Sequence, residues 1–328
     1  MKLAILGGGS WGTALAVVLA RRFERISLWV FERDLAERMA VSRENDVFLP
    51  GFALPGNVGI TTELSRAAGA EIVLGAMPSR FARRVYSDAA RFLDPGITVV
   101  SATKGLERGS LLRMSEVIGE TLPGSMKVAV LSGPTFAREV ACGEPAAVVV
   151  ASHDEEVARR VQTAFSGPAF RLYTNSDTIG VEIGAALKNV IAIAAGVCSG
   201  LGLGSNTHAA LITRGLAEIT RLVVAMGGQA KTMAGLAGLG DLVLTCGGDL
   251  SRNRKVGLEL AKGRGIGEIT GEMRMIAEGV ETCDAAVELG AKFGVELPII
   301  QQMHQVLYGR KSPREALRDL MERSLKGE

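Results

Sequence analysis

Short apolar runs alternate with amphipathic segments along the first half of the chain. These runs predict strands at residues 3–6, 26–31, 71–77, 97–101, 127–131, 146–151 and 170–173. The segments between them predict helices, including 34–42 and 79–92, a loop at 43–56, and a helix opened by a capping box at Ser152 and Glu155. Strands and helices that alternate at this spacing are typical of an α/β fold with a mostly parallel sheet covered on both faces.

From Asp177 onward the strand-like runs stop and longer amphipathic patterns take over. They predict helices at 181–197, 207–226 and 253–262. A last helix has Ser312 at its N-cap, Pro313 at its first position and Glu315 at its third. We therefore expect an α/β domain at residues 1–178 and an all-helical domain at 179–328.

The first strand runs into a glycine-rich turn. Gly7, Gly9 and Gly12 form Gly-x-Gly-x-x-Gly between the apolar run 3–6 and a helical pattern at 14–19. The first glycine allows a tight turn, the second lets the backbone approach a pyrophosphate, and the third lets helix and strand pack closely. Free N–H groups at the new helix's N-terminus then face the pyrophosphate. The motif predicts that the first domain is of the Rossmann type and binds NAD or NADP.

The second predicted strand ends in charged residues, where Rossmann domains recognise the adenosine ribose. Glu32 could accept hydrogen bonds from ribose hydroxyls, and Arg33 could pair with the 2′-phosphate of NADP. Arg33 could equally be a solvated charge at a helix start. The sequence therefore leaves the choice between NAD and NADP open.

Composition excludes several classes of protein. The chain has 328 residues, is 47% hydrophobic and 22% charged, and carries a net charge of +2, which indicates a soluble globular protein without a polyelectrolyte partner such as nucleic acid. Four scattered cysteines without C-x-x-C and three histidines argue against metal or disulfide frameworks, and favour a reducing, cytoplasmic location. The apolar stretch 191–203 is too short and glycine-rich for a membrane span, so we expect a buried helix there. Glycines interrupt the N-terminal apolar run, so no signal peptide is predicted.

Two lysines are candidates for chemistry. Lys188 lies with Asn189 in an otherwise apolar helical pattern, where burial of an ammonium is costly and lowers its pKa. Such a lysine can act as a general base on an alcohol or as a general acid toward a carbonyl, although it could also extend to the helix edge. Lys104 follows a predicted strand at the sheet edge where α/β proteins bind ligands, but it could be a surface lysine in a glycine turn.

The helical half offers two further polar groups. Asp241 and Thr245 are four residues apart and share one face of a helix. Ser251, Arg252 and Asn253 supply hydroxyl, guanidinium and amide donors at a predicted helix start, which suits an anion. An ordinary N-cap with solvated charges is the alternative for that stretch.

Taken together, these stretches resemble the bacterial-type NAD(P)-dependent glycerol-3-phosphate dehydrogenases. The matching segments are 7–14, 48–51, 102–106, 132–137, 181–190, 209–216, 235–242, 251–254 and 278–279. The resemblance implies reversible hydride transfer between C2 of glycerol 3-phosphate and the nicotinamide, giving dihydroxyacetone phosphate and, in the cell, supplying phospholipid synthesis. It also implies a homodimer.

The resemblance assigns roles residue by residue. Lys188 would accept the proton of the C2 hydroxyl, and Lys104 beside it would contact both substrate and cofactor. Asp241 with Thr245 would orient the substrate hydroxyls and the lysine. The remaining substrate contacts would be Gly133, Thr135, Ser251, Arg252 and Asn253, the last three holding the phosphate. The cofactor positions would be Gly7, Gly9, Ser10, Trp11, Gly12, Phe31, Arg33, Phe81, Lys104, Ala137, Arg252, Ile276 and Glu278.

Two other functions are compatible with parts of the sequence. A related β-hydroxyacid dehydrogenase, such as a 6-phosphogluconate type, also combines a Rossmann domain with a catalytic lysine on a helix. A non-catalytic dinucleotide sensor would keep only the first domain's function, and the presence of Lys104, Lys188, Asp241 and Arg252 argues against it.

Overall fold

The fold of the first half is organised around one eight-stranded sheet. The computed structural model describes residues 1–273, 275–325 and 327. Its strands are β1 Lys2–Leu6, β2 Arg25–Trp29, β3 Glu44–Asn45, β4 Leu49–Ala53, β5 Val58–Thr61, β6 Ile72–Gly75, β7 Thr98–Ser101, β8 Lys127–Ser132, β9 Ala146–Ala151 and β10 Phe170–Asn175. The sheet order is β10-β9-β8-β7-β6-β1-β2-β5, and β3 and β4 form a separate hairpin.

All neighbouring strands of the large sheet are parallel except β8 and β9. The predicted mostly parallel α/β fold is therefore confirmed. The prediction of a loop at 43–56 is wrong for most of that stretch, because the β3–β4 hairpin occupies it. The edge strand β5 was also missed, since a four-residue run with an internal glycine gives little hydrophobic pattern.

Helices account for the remaining regular structure. They are α1 Ser10–Leu19, α2 Arg33–Ser42, α3 Ser79–Ala89, α4 Met114–Thr121, α5 Ala137–Cys142, α6 Glu155–Phe165, α7 Thr178–Gly200, α8 Ser205–Ala225, α9 Ala230–Met233, α10 Asp241–Gly247, α11 Arg252–Ala261, α12 Ile266–Glu272, α13 Glu278–Lys292, α14 Pro298–Leu307 and α15 Pro313–Met321. Single turns of 3₁₀-helix lie at Ala20–Arg22, Leu64–Ala67 and Ala90–Phe92, and a π-helix at Leu236–Gly240. After β10 the described chain forms only helices, turns and loops, as the sequence predicts.

The sequence predicts capping boxes at two helix N-termini, and the structure has one of them. The capping box at α15 is present, with Ser312 and Glu315 bonded to each other's backbone N–H groups. The predicted cap at Ser152 is wrong: α6 is capped by Asp154, whose carboxylate accepts hydrogen bonds from the backbone of Glu156 and Val157. Ser152 instead donates its hydroxyl to the Val128 carbonyl of the neighbouring strand β8, at 2.7 Å.

Helix α7 is the centre of the second half. Twenty of its 23 residues are buried, and α8, α10, α11 and α13 pack around it. Among the described residues it is the one helix long and apolar enough to cross a membrane, and its apolar stretch is entirely buried inside the protein. This is the environment of a core helix, as expected for the stretch 191–203, although the helix ends at Gly200 and burial ends at Cys198.

Glycines let α11 approach α7 closely. A Cβ at Gly196 of α7 would lie 2.0 Å from the carbonyl oxygen of Arg254, and a Cβ at Gly257 of α11 would lie 2.0 Å from that of Ile193. No side chain fits at either position, so the two backbones touch. The close crossing brings the N-terminus of α11 near the middle of α7.

Candidate active site

The carboxyl ends of the parallel strands meet at one edge of the sheet. The segments that leave this edge begin at Gly7 after β1, Ala76 after β6, Ala102 after β7 and Gly133 after β8. The helical half packs against the same edge, because Lys104, just after β7, reaches α10. The candidate site lies in this crevice, where open α/β sheets bind ligands.

The glycine-rich turn has the shape that a pyrophosphate site requires. Gly7 has a positive φ of 123°, and a Cβ at Gly12 would lie 1.9 Å from the Gly7 carbonyl oxygen. A Cβ at Gly9 would instead meet nothing within 4 Å, which leaves that side of the turn open to a ligand. Helix α1 begins at Ser10 without a side-chain cap, so the N–H groups of its first turn are free to bind an anion.

Aromatic and basic groups lie in this turn and in the segments that follow β2 and β6, the strands on either side of β1. The buried indole N–H of Trp11 has no acceptor within the described part of the chain. Phe31, at the end of β2, is 70% exposed and lies edge-on to Trp29. Arg33 is exposed at the first position of α2, and Arg80 stacks on the exposed ring of Phe81. Free N–H groups, an open glycine and exposed aromatic faces fit a dinucleotide.

Lys188 is buried together with its partners. Its side chain on α7 donates to Oδ1 of Asp241 at 2.6 Å and to Oγ1 of Thr245 at 2.7 Å. Its exposed fraction is 5%, and that of Asp241 is 0%. Burial lowers the pKa of Lys188 to about 8, Lys104 adds to this lowering, and Asp241 opposes it. Because the Lys188 side chain is buried, the alternative that it extends to solvent at the helix edge is excluded.

Lys104 is the second cation of the cluster. Its Nζ lies 2.8 Å from Oδ2 of Asp241, 2.8 Å from the carbonyl oxygen of Gly133 and 3.3 Å from Oγ1 of Thr135. The Asp241 carboxylate is therefore shared by two lysines from the two halves of the chain. The surface alternative for Lys104 does not hold, because its side chain is largely buried.

An irregular turn places Asp241. The π-helix Leu236–Gly240 directly precedes it, and a Cβ at Gly238 would lie 2.2 Å from the Met233 carbonyl oxygen. Such π-helical turns are rare in proteins overall, and those that do occur are often at functional sites. On α10 the hydroxyl of Thr245 donates to the backbone carbonyl oxygen of Asp241 at 2.6 Å. The two residues therefore lie on one face of the helix, as their spacing predicts.

The predicted phosphate-binding stretch opens α11. Ser251 caps this helix through the backbone N–H of Arg254. Arg252 donates to the Ile276 carbonyl at 3.0 Å, and burial lowers its pKa while Glu278 opposes the change. The amide nitrogen of Asn253 donates to Oδ1 of Asn189 at 2.9 Å, and its amide oxygen accepts from the backbone N–H of Gly279 at 3.0 Å.

Glu278 joins the two halves of the chain. Its carboxylate accepts hydrogen bonds from the N–H of Ser79 at 3.1 Å and from its hydroxyl at 2.6 Å, at the N-terminus of α3. Burial raises the pKa of Glu278, and the bonds from Ser79 oppose the change. Ala137 begins α5, which packs against α1 next to the glycine turn.

Two residues of this site have contacts that the sequence did not predict. Asn189 donates to the Lys104 carbonyl at 3.4 Å and to its own helix at Ala185, so it links Lys104 to Asn253. Ser79 holds Glu278 from the opposite half of the chain. An amide in an apolar helix was the available signal for Asn189, but nothing in the sequence around Ser79 indicates its partner 199 residues away.

A Rossmann sheet, a pyrophosphate turn and a buried lysine cluster in the crevice at the same edge of the sheet define a dinucleotide-dependent dehydrogenase. Family models described as the N-terminus and the C-terminus of NAD-dependent glycerol-3-phosphate dehydrogenase match residues 2–158 and 177–318. The chain belongs to this family.

Individual relatives agree with the family models. The proteins of Citrifermentans bemidjiense and Koribacter versatilis, both named glycerol-3-phosphate dehydrogenase (NAD(P)+), are 54% and 55% identical; the matches cover 100% and 98% of this chain and 98% and 97% of theirs. The solved structure of glycerol-3-phosphate dehydrogenase from Coxiella burnetii is 40% identical, with a TM-score of 0.94, and covers 98% of this chain and 99% of that chain. The resemblance inferred from the motifs is confirmed.

Proposed function

We propose that this chain interconverts glycerol 3-phosphate and dihydroxyacetone phosphate, with the nicotinamide of bound NAD(P) accepting or supplying the hydride at C2. Family membership supports the reaction. The single observation that carries the mechanism is the buried cluster of Lys188, Asp241 and Lys104 at the crevice.

Lys188 acts as the proton acceptor in the oxidative direction. With a pKa of about 8, a substantial fraction of its amine is neutral near neutral pH, and the neutral amine takes the proton of the C2 hydroxyl as the C2–H bond breaks. In the reductive direction the protonated amine returns that proton to the oxygen of C2. Because Lys188 is 5% exposed, bulk water does not compete for the proton.

The partners of Lys188 hold it in place. Asp241 and Thr245 accept from its Nζ and orient the remaining lone pair or N–H. Lys104, held by Gly133 and Thr135, supplies a positive charge for the developing alkoxide at C2.

Ser251, Arg252 and Asn253 form the phosphate subsite at the N-terminus of α11. The guanidinium of Arg252 and the helix N-terminus supply positive charge, and the Asn189–Asn253 amide pair fixes the segment. Gly7, Gly9, Ser10, Trp11 and Gly12 hold the pyrophosphate, and Phe31, Arg33, Phe81, Ala137, Ile276 and Glu278 surround the rest of the dinucleotide.

Wider assignments follow from the family resemblance. We infer a cytoplasmic homodimer that supplies glycerol 3-phosphate for phospholipid synthesis, with the boundary between its domains near residue 178. Light scattering of the purified protein tests the dimer.

The deciding experiment follows absorbance at 340 nm with dihydroxyacetone phosphate and NADH or NADPH. We expect absorbance to fall, and Lys188→Ala to lower kcat by a factor of about 10² to 10⁴. Lys262→Ala, which removes an exposed surface lysine, is the matched control and leaves kcat unchanged. No turnover with either cofactor, in a protein shown to bind NADH, would overturn the proposed reaction.

A further inference from the structure

The hairpin of β3 and β4 lies beside the glycine-rich turn. It packs against α1 and α5, the helices that border this turn. Asn45, at the end of β3, is 0% exposed although its side chain is polar. Its amide nitrogen donates to the carbonyl oxygen of Gly8 and to Oγ1 of Thr13, both at 2.8 Å, and its amide oxygen accepts from the N–H of Phe48 at 2.9 Å.

The bond to Gly8 fixes one peptide plane of the turn. In a trans peptide the carbonyl of one residue and the N–H of the next point in opposite directions, and the described chain contains no cis peptide. Because the Gly8 carbonyl points at Asn45, the N–H of Gly9 points away from it. A Cβ at Gly9 would meet nothing within 4 Å, and the N–H of Gly9 has no acceptor in the part of the chain that the structure describes.

This peptide plane needs an external support. Gly7, Gly8 and Gly9 are consecutive, and glycine has more backbone freedom than any other residue. The hydroxyl of Thr13 is 3.4 Å from the Gly8 carbonyl oxygen, too long for a strong bond on its own. Asn45 makes the shorter of the two side-chain hydrogen bonds to the Gly8 carbonyl, and it thereby restrains the orientation of the Gly8–Gly9 peptide.

We propose that Asn45 is a positioning residue for the cofactor, which holds the Gly8–Gly9 peptide so that the N–H of Gly9 is aimed at the pyrophosphate. Asn45 itself does not touch the ligand. Its effect is to fix one N–H donor before the cofactor binds, so that binding does not have to order the turn. The proposal rests on dinucleotide binding and not on the proposed roles of the lysines.

The test compares ligands that do and do not carry the pyrophosphate. NADH and ADP-ribose contain it, whereas adenosine binds only where the ribose and adenine are recognised. The Kd values of NADH and ADP-ribose are measured by fluorescence and calorimetry. The affinity for adenosine is measured as its inhibition constant against NADH. The variants are Asn45→Leu, which keeps the volume but removes the amide, and Asn45→Ala, which serves if the leucine variant does not fold.

A second asparagine provides the matched control. Asn57 donates its amide to the carbonyl oxygens of Ala20 and Phe23, at 2.8 and 2.9 Å, and so ties two loops of the same domain away from the glycine turn. Asn57→Leu removes the same kind of side-chain to backbone bonds. It is expected to lower Tm without changing the affinity for any of the three ligands.

We expect both Asn45 variants to raise the Kd of NADH and of ADP-ribose together by about tenfold, as loss of a well-aimed donor predicts. The inhibition constant of adenosine and kcat at saturating NADH should change by less than about twofold. An equal loss for all three ligands would show general loosening and overturn the proposal, as would unchanged NADH affinity. If the unaltered protein fails to bind NADH, the proposed function falls as well, so the two failures are distinguishable.

Discussion

The Nζ atom of Lys188 lies 2.6 Å from Oδ1 of Asp241, and both side chains are buried. Burial favours the neutral amine, whereas the carboxylate favours the charged one. The outcome is a pKa of about 8, which leaves both forms of Lys188 populated near neutral pH. A reversible proton transfer needs both forms, so this opposition of two effects suits the proposed reaction in either direction.

The first prediction concerns pH. Oxidation of glycerol 3-phosphate needs the neutral amine, so kcat/KM should rise about tenfold per pH unit below a midpoint near 8 and level off above it. Reduction of dihydroxyacetone phosphate needs the protonated amine, so its kcat/KM should fall above the same midpoint. Initial rates in both directions between about pH 6.5 and 9.5 measure this. A flat profile in both directions would contradict the assignment of Lys188.

The second prediction concerns the charge of Asp241. Asp241→Asn removes the carboxylate that raises the pKa of Lys188, so the midpoint of the oxidative profile should move below about 8. The rate at the plateau should also fall by at least about tenfold, because both lysines lose a charged partner. Asp249→Asn is the control: the carboxylate of Asp249 is exposed where it pairs with Arg254, and neither midpoint nor plateau should change. A midpoint that stays in place or rises would show that Asp241 does not set the protonation of Lys188.

The sequence predicted this cluster because its signals are local. A lysine in an apolar helical pattern and an acid four residues from a threonine both stand out within a few residues of themselves. The family resemblance, and not the pattern, placed Lys104 beside Lys188. That Lys104 and Lys188 share the carboxylate of Asp241, which is 137 residues from Lys104, is seen only in the structure.

Other parts of the structure left no local trace. Asn45 lies in a stretch predicted as a loop, and its partners Gly8 and Thr13 are 37 and 32 residues away. The reversal of direction between β8 and β9 is also invisible in the apolar runs, since buried parallel and antiparallel strands show similar sequence patterns. The strand pattern thus predicted the sheet and its class, but not the direction of its last two strands or the hairpin beside the turn.

The third prediction concerns cofactor choice. Arg33 is exposed at the start of α2, and it forms no hydrogen bond or ion pair to another described residue, so its guanidinium is free to meet a 2′-phosphate. Arg33→Ala should raise the Kd of NADPH by about tenfold or more and that of NADH by less than about twofold, because only NADPH carries that phosphate. Fluorescence titration with both cofactors measures the difference. Arg38→Ala, on the same helix but bonded to Asp34 and Asp46, is the control. Equal losses for the two cofactors would remove the proposed role of Arg33.

The last prediction concerns the close crossing of α7 and α11. Gly257→Ala would place a Cβ 2.0 Å from the Ile193 carbonyl oxygen and 2.7 Å from the Val197 nitrogen, so the two helices must separate. We expect the free energy of unfolding to fall by about 1–3 kcal/mol, since overpacking of a tight contact costs that much. Because α7 carries Lys188 and α11 begins at Arg252, the same separation should raise KM for glycerol 3-phosphate several-fold more than that for NADH. Urea unfolding and steady-state kinetics measure the two effects.

Gly267→Ala in α12, where a Cβ would meet nothing within 4 Å, is the control and should leave both KM values unchanged. Loss of stability in Gly257→Ala with both KM values intact would mean that the crossing serves folding and does not set the distance between the base and the phosphate subsite.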